Sequence, residues 1–326
     1  MNQLLAATRV TLAAALISAA SPARGAEKSL SAEGYLHLQW RADYADRSDS
    51  AGRRSTFHQG FVLRRGRVKF RYGFDDRVRT ELELGCDKLE LRVKDAFVEY
   101  RAAPYLLLKA GLYKTPFSLE ELTPASRLVL AERSVLNDRF DDQGFLGRDI
   151  GFSVSGRLLE RSLPLSYELG VFNGNRAGGF RDNDNAKQLA GRLTVTPLAR
   201  LTVGANAAQR NDSLTGRLTR ALGADVAWHP GSATFEVEAL HGDADTDRTM
   251  SGARLLGACR AGRLEPAAQY ALLATKDADL SVEHEAAVGL GWTINRRLFV
   301  KFNAAVLLRP DSDTRAWGLV QVAARF

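Results

Sequence analysis

The segment 64-RRGRVKFR-71 places five cations in eight residues: Arg64, Arg65, Arg67, Lys69 and Arg71. Arg65, Arg67, Lys69 and Arg71 share one parity, and Val68, Phe70 and Tyr72 hold the other. On a β-strand this spacing makes one face charged and the other apolar. A guanidinium has forked donors that match an oxyanion two at a time. A file of them around confined water concentrates anions and repels cations. The competing reading is a polar wall whose cations are neutralised by acids such as Asp149, Glu168, Glu236 or Glu283. His37, His58, His229, His241 and His284 show no metal-ligand spacing, and neither metal nor cofactor is expected.

The phase of this segment slips. Phe61 and Leu63 are odd-numbered, while Val68, Phe70 and Tyr72 are even. One extra residue at Arg64-Arg65, a β-bulge, would reconcile the two phases and aim both arginines the same way. A similar slip separates Leu89, Leu91 and Val93 from Ala96, Val98 and Tyr100. It brings Lys94 and Asp95 to the charged face.

Such faces need strands, and the chain supplies them. In 148-RDIGFSVSGR-157, Ile150, Phe152 and Val154 alternate with Asp149, Ser153, Ser155 and Arg157. Alternating segments of about ten residues, separated by turns, mark a transmembrane β-barrel. The chain divides into sixteen: 33–45, 57–72, 77–85, 88–101, 105–114, 147–158, 164–173, 186–196, 200–210, 217–229, 232–242, 250–261, 263–275, 281–294, 297–309 and 314–326. Every second connection is short, as in Pro230-Gly231 and Asn295-Arg296, with hairpin chemistry. The others, such as 46–56, 174–185 and 243–249, are longer and polar. Short periplasmic turns and longer outer loops give an even-stranded antiparallel barrel with both ends inside. The connection 115–146 has no alternation, and Leu119, Leu122, Leu128 and Leu130 hint at a helical turn. Its apolar residues would be costly in water, so this third outer loop is expected to fold into the pore.

Residues 1–25 read as a secretory signal peptide: Arg9, the apolar run Thr11 to Ala20, then Ala23-Arg24-Gly25. Residues 26–326 would form one barrel domain. The net charge is +7, of which Arg9 and Arg24 supply two, leaving +5. A mean hydropathy of −0.21 suits a barrel, where only alternate residues face lipid. Export and strand-based insertion together point to a bacterial outer membrane, with lipid as one partner and no nucleic acid. A terminal aromatic on a last strand is the usual address read by the outer-membrane assembly machinery. Phe326 fits, with Val320, Val322 and Ala324 on one face. Cys86 and Cys259 suggest no disulfide framework.

The segments 64-RRGRVKF-70, 94-KDAFVEY-100, 109-KAGLYKTPFSLEEL-122, 132-ERS-134 and 170-GVFNGN-175, in this order and spacing, resemble the phosphate-selective porin O/P family. The resemblance covers residues 60–175, and the C-terminal half has only general barrel character. It implies a trimer of sixteen-stranded outer-membrane barrels that conduct anions, in some members phosphate or polyphosphate, through a pore narrowed by the third loop. Carried over by motif, Arg64, Arg65 and Arg67 belong to the anion path, and Lys114 borders the narrow zone. Asp95 would hold the basic side chains in place, and Arg133 would reach the constriction. The chain is short for the family, and its outer loops carry no dense lysine series. Anion preference is therefore better founded than phosphate specificity.

These observations imply a passive channel for small anions, without catalytic residues. A weakly selective general porin is the alternative. A barrel lipase would need a Ser and a His together on the outer wall, for which His37 and His58 are badly placed. An adhesin would need longer outer loops.

Overall fold

A computed structural model describes residues 28–49, 52–87, 89–159, 163–174, 185–211, 216–243, 248–277, 279–309 and 314–326. The expected signal peptide lies outside these residues, as do parts of the loops expected at 174–185 and 243–249.

Sixteen antiparallel strands form one closed barrel, each paired with its sequence neighbours, and β1 with β16. They are β1 (Ser29–Asp49), β2 (Gly52–Gly73), β3 (Val78–Asp87), β4 (Glu90–Ala103), β5 (Leu106–Lys114), β6 (Arg148–Leu158), β7 (Leu165–Phe172) and β8 (Gln188–Leu198). The others are β9 (Leu201–Asn211), β10 (Leu218–Trp228), β11 (Ala233–Asp243), β12 (Thr249–Cys259), β13 (Leu264–Lys276), β14 (Leu280–Thr293), β15 (Leu298–Leu308) and β16 (Thr314–Arg325). Closure is completed where Gly34 N–H donates to Phe326 O (2.9 Å) and Phe326 N–H donates to Gly34 O (3.0 Å). The Phe326 ring lies over Gly34, where a Cβ would collide with it.

The alternation resolves into an inverted burial pattern. Leu36, Leu38 and Trp40 are exposed outward, while His37 and Gln39 between them are buried inward. The same holds for Val226 against Asp225, and Phe302 against Asn303. A cation on the lipid face at mid-bilayer costs about 2–4 kcal/mol, which keeps the charges inside.

The residues expected as a loop at 46–56 are mostly strand. Asp46 pairs with Ser55, Arg47 with Arg54 and Ser48 with Arg53, so β1 and β2 continue as one long ribbon. Above the membrane a hairpin needs no apolar face, so the pattern that marks a strand within lipid is missing there.

Residues 115–147 fold inside the barrel and carry two helices, α1 (Leu119–Leu122) and α2 (Val135–Asp142). Ser134 caps α2 by accepting from Asn137 N–H. Phe117, Leu136, Phe140, Phe145 and Leu146 bury themselves against Ala208, Ala221, Leu240, Met250 and Leu273 of the inner wall. Leu130 packs on Leu256, Ala287 and Ala305, and Val135 on Ala271 and Leu307. Small wall residues leave the room that the loop fills.

Candidate functional site: the charged bore

Both phase slips are bulges. His37 pairs with Arg65 and Leu38 with Leu63, so Arg64 is the extra residue in β2. Glu83 pairs with Asp95 and Leu84 with Val93, so Lys94 is the extra residue in β4.

The bulge lets consecutive arginines act together. Arg64 grips Glu132 of the inner loop with two hydrogen bonds, Nε at 2.8 Å and Nη2 at 2.7 Å. Arg65 donates to the same carboxylate at 3.0 Å and to Ala131 O at 3.2 Å. Gln39 adds a third donor at 2.9 Å. Burial alone would push the Glu132 carboxyl up. Hydrogen bonding from Arg64 and the charge of Arg65 outweigh it and bring the group down to about 2.

The other expected residues lie nearby, each with a partner. Arg67 binds Asp87 through two bonds of 2.6 and 2.8 Å and lies 3.5 Å from Glu83. Lys69 bridges Glu81 (2.8 Å) and Glu83 (3.1 Å), and Lys94 pairs with Asp87 at 2.7 Å. Asp95 receives two bonds from Arg148, 2.9 and 3.1 Å, an arginine that sequence reasoning did not single out. Lys114 reaches Glu121 of α1, its carboxylate at 3.3 Å and also its carbonyl. Arg133 lies 3.4 Å from the same carboxylate and donates to Thr123 O at 2.9 Å. Burial would raise the Glu121 carboxyl, but Lys114, Arg133 and Arg148 outweigh it and hold it low. Around these residues the neutralising acids are Glu81, Glu83, Asp87, Asp95, Glu121 and Glu132. Of the acids expected from the sequence, Glu236 pairs with Arg254 at 2.6 Å, Glu283 with Arg139 (2.9 Å) and Arg309 (2.8 Å), and Glu168 lies 3.8 Å from Lys109. Asp149 accepts from backbone N–H groups of Ile150 and Gly174.

Gly111, in the motif before the loop, has φ +135°, and a Cβ there would meet Ala96 O and Phe97. It lets β5 lie close to β4 just before Lys114.

The opposite wall holds the loop through its backbone. Glu238 accepts from Leu119 N–H (2.6 Å) and Glu120 N–H (3.2 Å), Glu285 from Val135 N–H (3.1 Å), and Asn303 from Ala131 N–H (3.0 Å). Glu120 in turn accepts from Ser134 N–H at 3.0 Å. Between loop and charged wall lies a cavity of about 1690 Å³, lined by eleven basic and eight acidic side chains, among them Arg64, Arg65, Arg67, Lys94, Arg133 and Arg148.

On the outer wall, His241 Nδ1 lies 2.8 Å from Ser251 Oγ, a pairing that sequence reasoning missed. Register places Leu222, Ala239, Ala253 and Ala274 around it on the same face. None of these can orient the imidazole as a nucleophile's base requires.

A closed sixteen-stranded barrel with polar interior, apolar exterior and a long loop packed inside is the architecture of an outer-membrane porin, a passive channel. The model of the family described as phosphate-selective porin O and P matches residues 42–229, more than half of the chain, and the protein belongs to that family. The anion-selective porin from Comamonas acidovorans superposes with a TM-score of 0.68 at 15% identity, covering 92% of this chain and 100% of that one. The trimer form of OmpT from Vibrio cholerae gives 0.62 at 11% identity, covering 93% and 100%. The outer-membrane channel DcaP of Acinetobacter baumannii gives 0.59 at 12%, covering 94% and 100%. A search of curated protein sequences finds no match.

Proposed function

We propose that this porin passes small anions, phosphate-like oxyanions among them, and that Arg64, Arg65, Arg67, Lys69, Lys94, Asp95, Lys114 and Arg133 line its constriction. The supporting observation is the cavity wall, where the guanidiniums of Arg64, Arg65, Arg67, Arg133 and Arg148 and the ammonium of Lys94 gather around the inner loop. Confined water strengthens their attraction for an oxyanion over what it would be in bulk. The pairing assigns roles within the set. Arg64 and Arg65 hold the loop, Asp95 holds Arg148, and Arg67, Lys69 and Lys94 form a shared lattice with Glu81, Glu83 and Asp87. An arriving oxyanion competes with those carboxylates, which favours transient binding over tight capture. Family membership and the anion-selective relative agree with this reading. The trimeric relative supports a homotrimer, and Phe326 at the closing strand is the proposed signal to the assembly machinery. No catalytic step is assigned.

Reversal potential in a planar bilayer under a salt gradient tests the proposal. Anion preference is expected, and a neutral or cation-selective result would sink it. Added phosphate should then reduce chloride current, and Arg65→Ala with Arg67→Ala should weaken that block.

A further inference from the structure

The β4–β5 ladder stops short of the outer rim. Its last rung joins Ala96 to Leu112, which pairs in turn with Ile150 of β6. Above that rung β4 continues from Asp95 to Glu90 beside β3, while Tyr113 and Lys114 of β5 pair with β6. The two strands part there, and the wall opens sideways. The charged cavity reaches this opening, since Leu112 and Ile150, on the lipid-facing parity, belong to its lining. Two cations stand in the gap. Lys114 and Arg148 pair across β5 and β6 and share the outward parity of Leu112 and Ile150. Yet Lys114 reaches Glu121 at 3.3 Å and Arg148 reaches Asp95 at 2.9 Å inside the bore.

The opening lies within the depth of the bilayer. Tyr100 and Tyr105 mark the periplasmic edge with exposed outward rings. Leu112 stands seven residues beyond Tyr105. At about 3.3 Å per residue and a tilt near 40° that is roughly 18 Å, within an apolar band about 25 Å tall. Hydrocarbon against a cation at such depth costs about 2–4 kcal/mol, so lipid is a poor cover for Lys114 and Arg148. The chain itself carries a better one. β3 ends at Asp87, and its ladder with β2 runs from Gly66 to Gly73, so among the described residues no strand covers that edge of β2 from Gly52 to Leu63. Such an edge offers free N–H and C=O groups. The ribbon it forms with β1 turns Trp40, Tyr44, Phe57 and Phe61 outward, and Phe61 is 89% exposed. Beside the opening Leu89 and Leu91 are 80% and 75% exposed. Ribbon and opening both face out from one convex wall, so a copy cannot cover its own. A neighbour can. The giving and receiving patches differ, so the contact is heterologous and closes into a ring.

We propose that the outer β1–β2 ribbon of a second copy covers this opening, its Trp40–Phe61 face lying on Leu89, Leu91, Leu112 and Ile150. The Lys114–Arg148 side of the bore is then sealed by two copies, and the charged site is incomplete in one. The proposal rests on the homotrimer reading for the number of copies and adds which faces meet. It does not rest on anion preference.

Cysteine cross-linking in outer membranes is the test, in a background carrying Cys86→Ser and Cys259→Ser. With a short bismaleimide, Phe61→Cys together with Leu91→Cys should give a ladder of linked copies on denaturing gels, while either substitution alone leaves single copies. Phe61→Asp should lose the oligomer band on mild gels, and Phe61→Tyr should keep it. Heat-dependent electrophoretic mobility verifies that each variant still forms the barrel. Single copies from the double variant, with the oligomer band intact, overturn this contact and leave the homotrimer standing. Linked pairs from Phe61→Cys alone put two like ribbon faces together and overturn it as well. A protein that is monomeric without any substitution overturns both readings. The anion reading is decided separately, by reversal potential.

Discussion

Two walls of different make face each other across the bore. From β2 to β6 the inner surface is a lattice of cations and acids, and only Glu121, Glu132 and Arg133 join it from the loop. From β9 to β15 it mixes small and aliphatic residues, such as Ala208, Ala221, Ala271, Ala287, Leu240 and Leu273, with carboxylates, amides and the cations Arg210, Arg254 and Lys301, and the loop packs on its apolar part. Burying alanine leaves space for Phe117, Leu136 and Phe140, while Glu238, Glu285 and Asn303 satisfy loop N–H groups that no strand could. One wall is built to meet ions in water and the other to hold a segment of chain. The difference also explains why the sixteen-stranded design needs both: the loop brings Glu132 across to the cations.

That crossing contact gives the largest expected effect. Glu132→Ala removes the acid shared by Arg64, Arg65 and Gln39 and leaves two guanidiniums facing each other without it. Breaking a largely buried pair from one side costs about 3–5 kcal/mol. The expected outcome is a loop detached from the charged wall, larger single-channel conductance and stronger anion preference. Single-channel recording with reversal potentials reads both. Unchanged conductance would mean that the β9–β15 wall alone fixes the loop's position.

How legible these walls were follows from their physics. The bulges at Arg64 and Lys94 could be read because a phase slip shows whenever apolar residues must stay on the lipid side. Arg148 and Glu132 were harder to see. Their roles depend on pairing between β6 and β4, and between the loop and β2, which alternation within one segment does not encode. The α2 segment 135-VLNDRFDD-142 carries a cap at Ser134, yet its apolar positions Val135, Leu136 and Phe140 are too few for a clear helical period. The β1–β2 ribbon above residue 46 was hidden because alternation reports contact with lipid, and strands outside the membrane have none.

Next in size is the apolar wall itself. Phe140 is fully buried between loop and wall. Phe140→Ala should cost about 3–5 kcal/mol, charged to loop docking rather than to the barrel. Limited proteolysis should cut the variant within 115–147 while the strands stay resistant and heat-modifiable mobility is kept. A collapse of the whole barrel would instead make the loop part of its folding core.

Acid should reproduce the first lesion weakly. The Glu132 carboxyl is depressed to about 2 in the folded barrel, against an ordinary value near 4.3. A depressed carboxylate stabilises fully above its unfolded value and loses that contribution as pH falls through its folded one. Conductance should therefore stay level down to pH 4. At pH 3 about one clamp in ten is protonated, and brief high-conductance openings should begin. Openings already frequent at pH 5 would show that another group holds the loop.

The smallest effect tests the lattice at a partly exposed pair. Lys94 Nζ meets Asp87 at 2.7 Å, with about a fifth of the Lys94 side chain and a quarter of Asp87 exposed. Solvent screens such a pair, so Lys94→Ala should cost under about 1 kcal/mol of stability. Asp87 keeps both bonds from Arg67, so the lattice survives and the local charge falls by one. Reversal potential should move slightly toward cations, by less than in the Arg65 and Arg67 double variant, and the shift should shrink as salt rises. A shift as large as the double variant's would place Lys94, at its own bulge, ahead of the arginines as the ion-meeting group. The loop would then be held by one bulge and the selectivity set by the other.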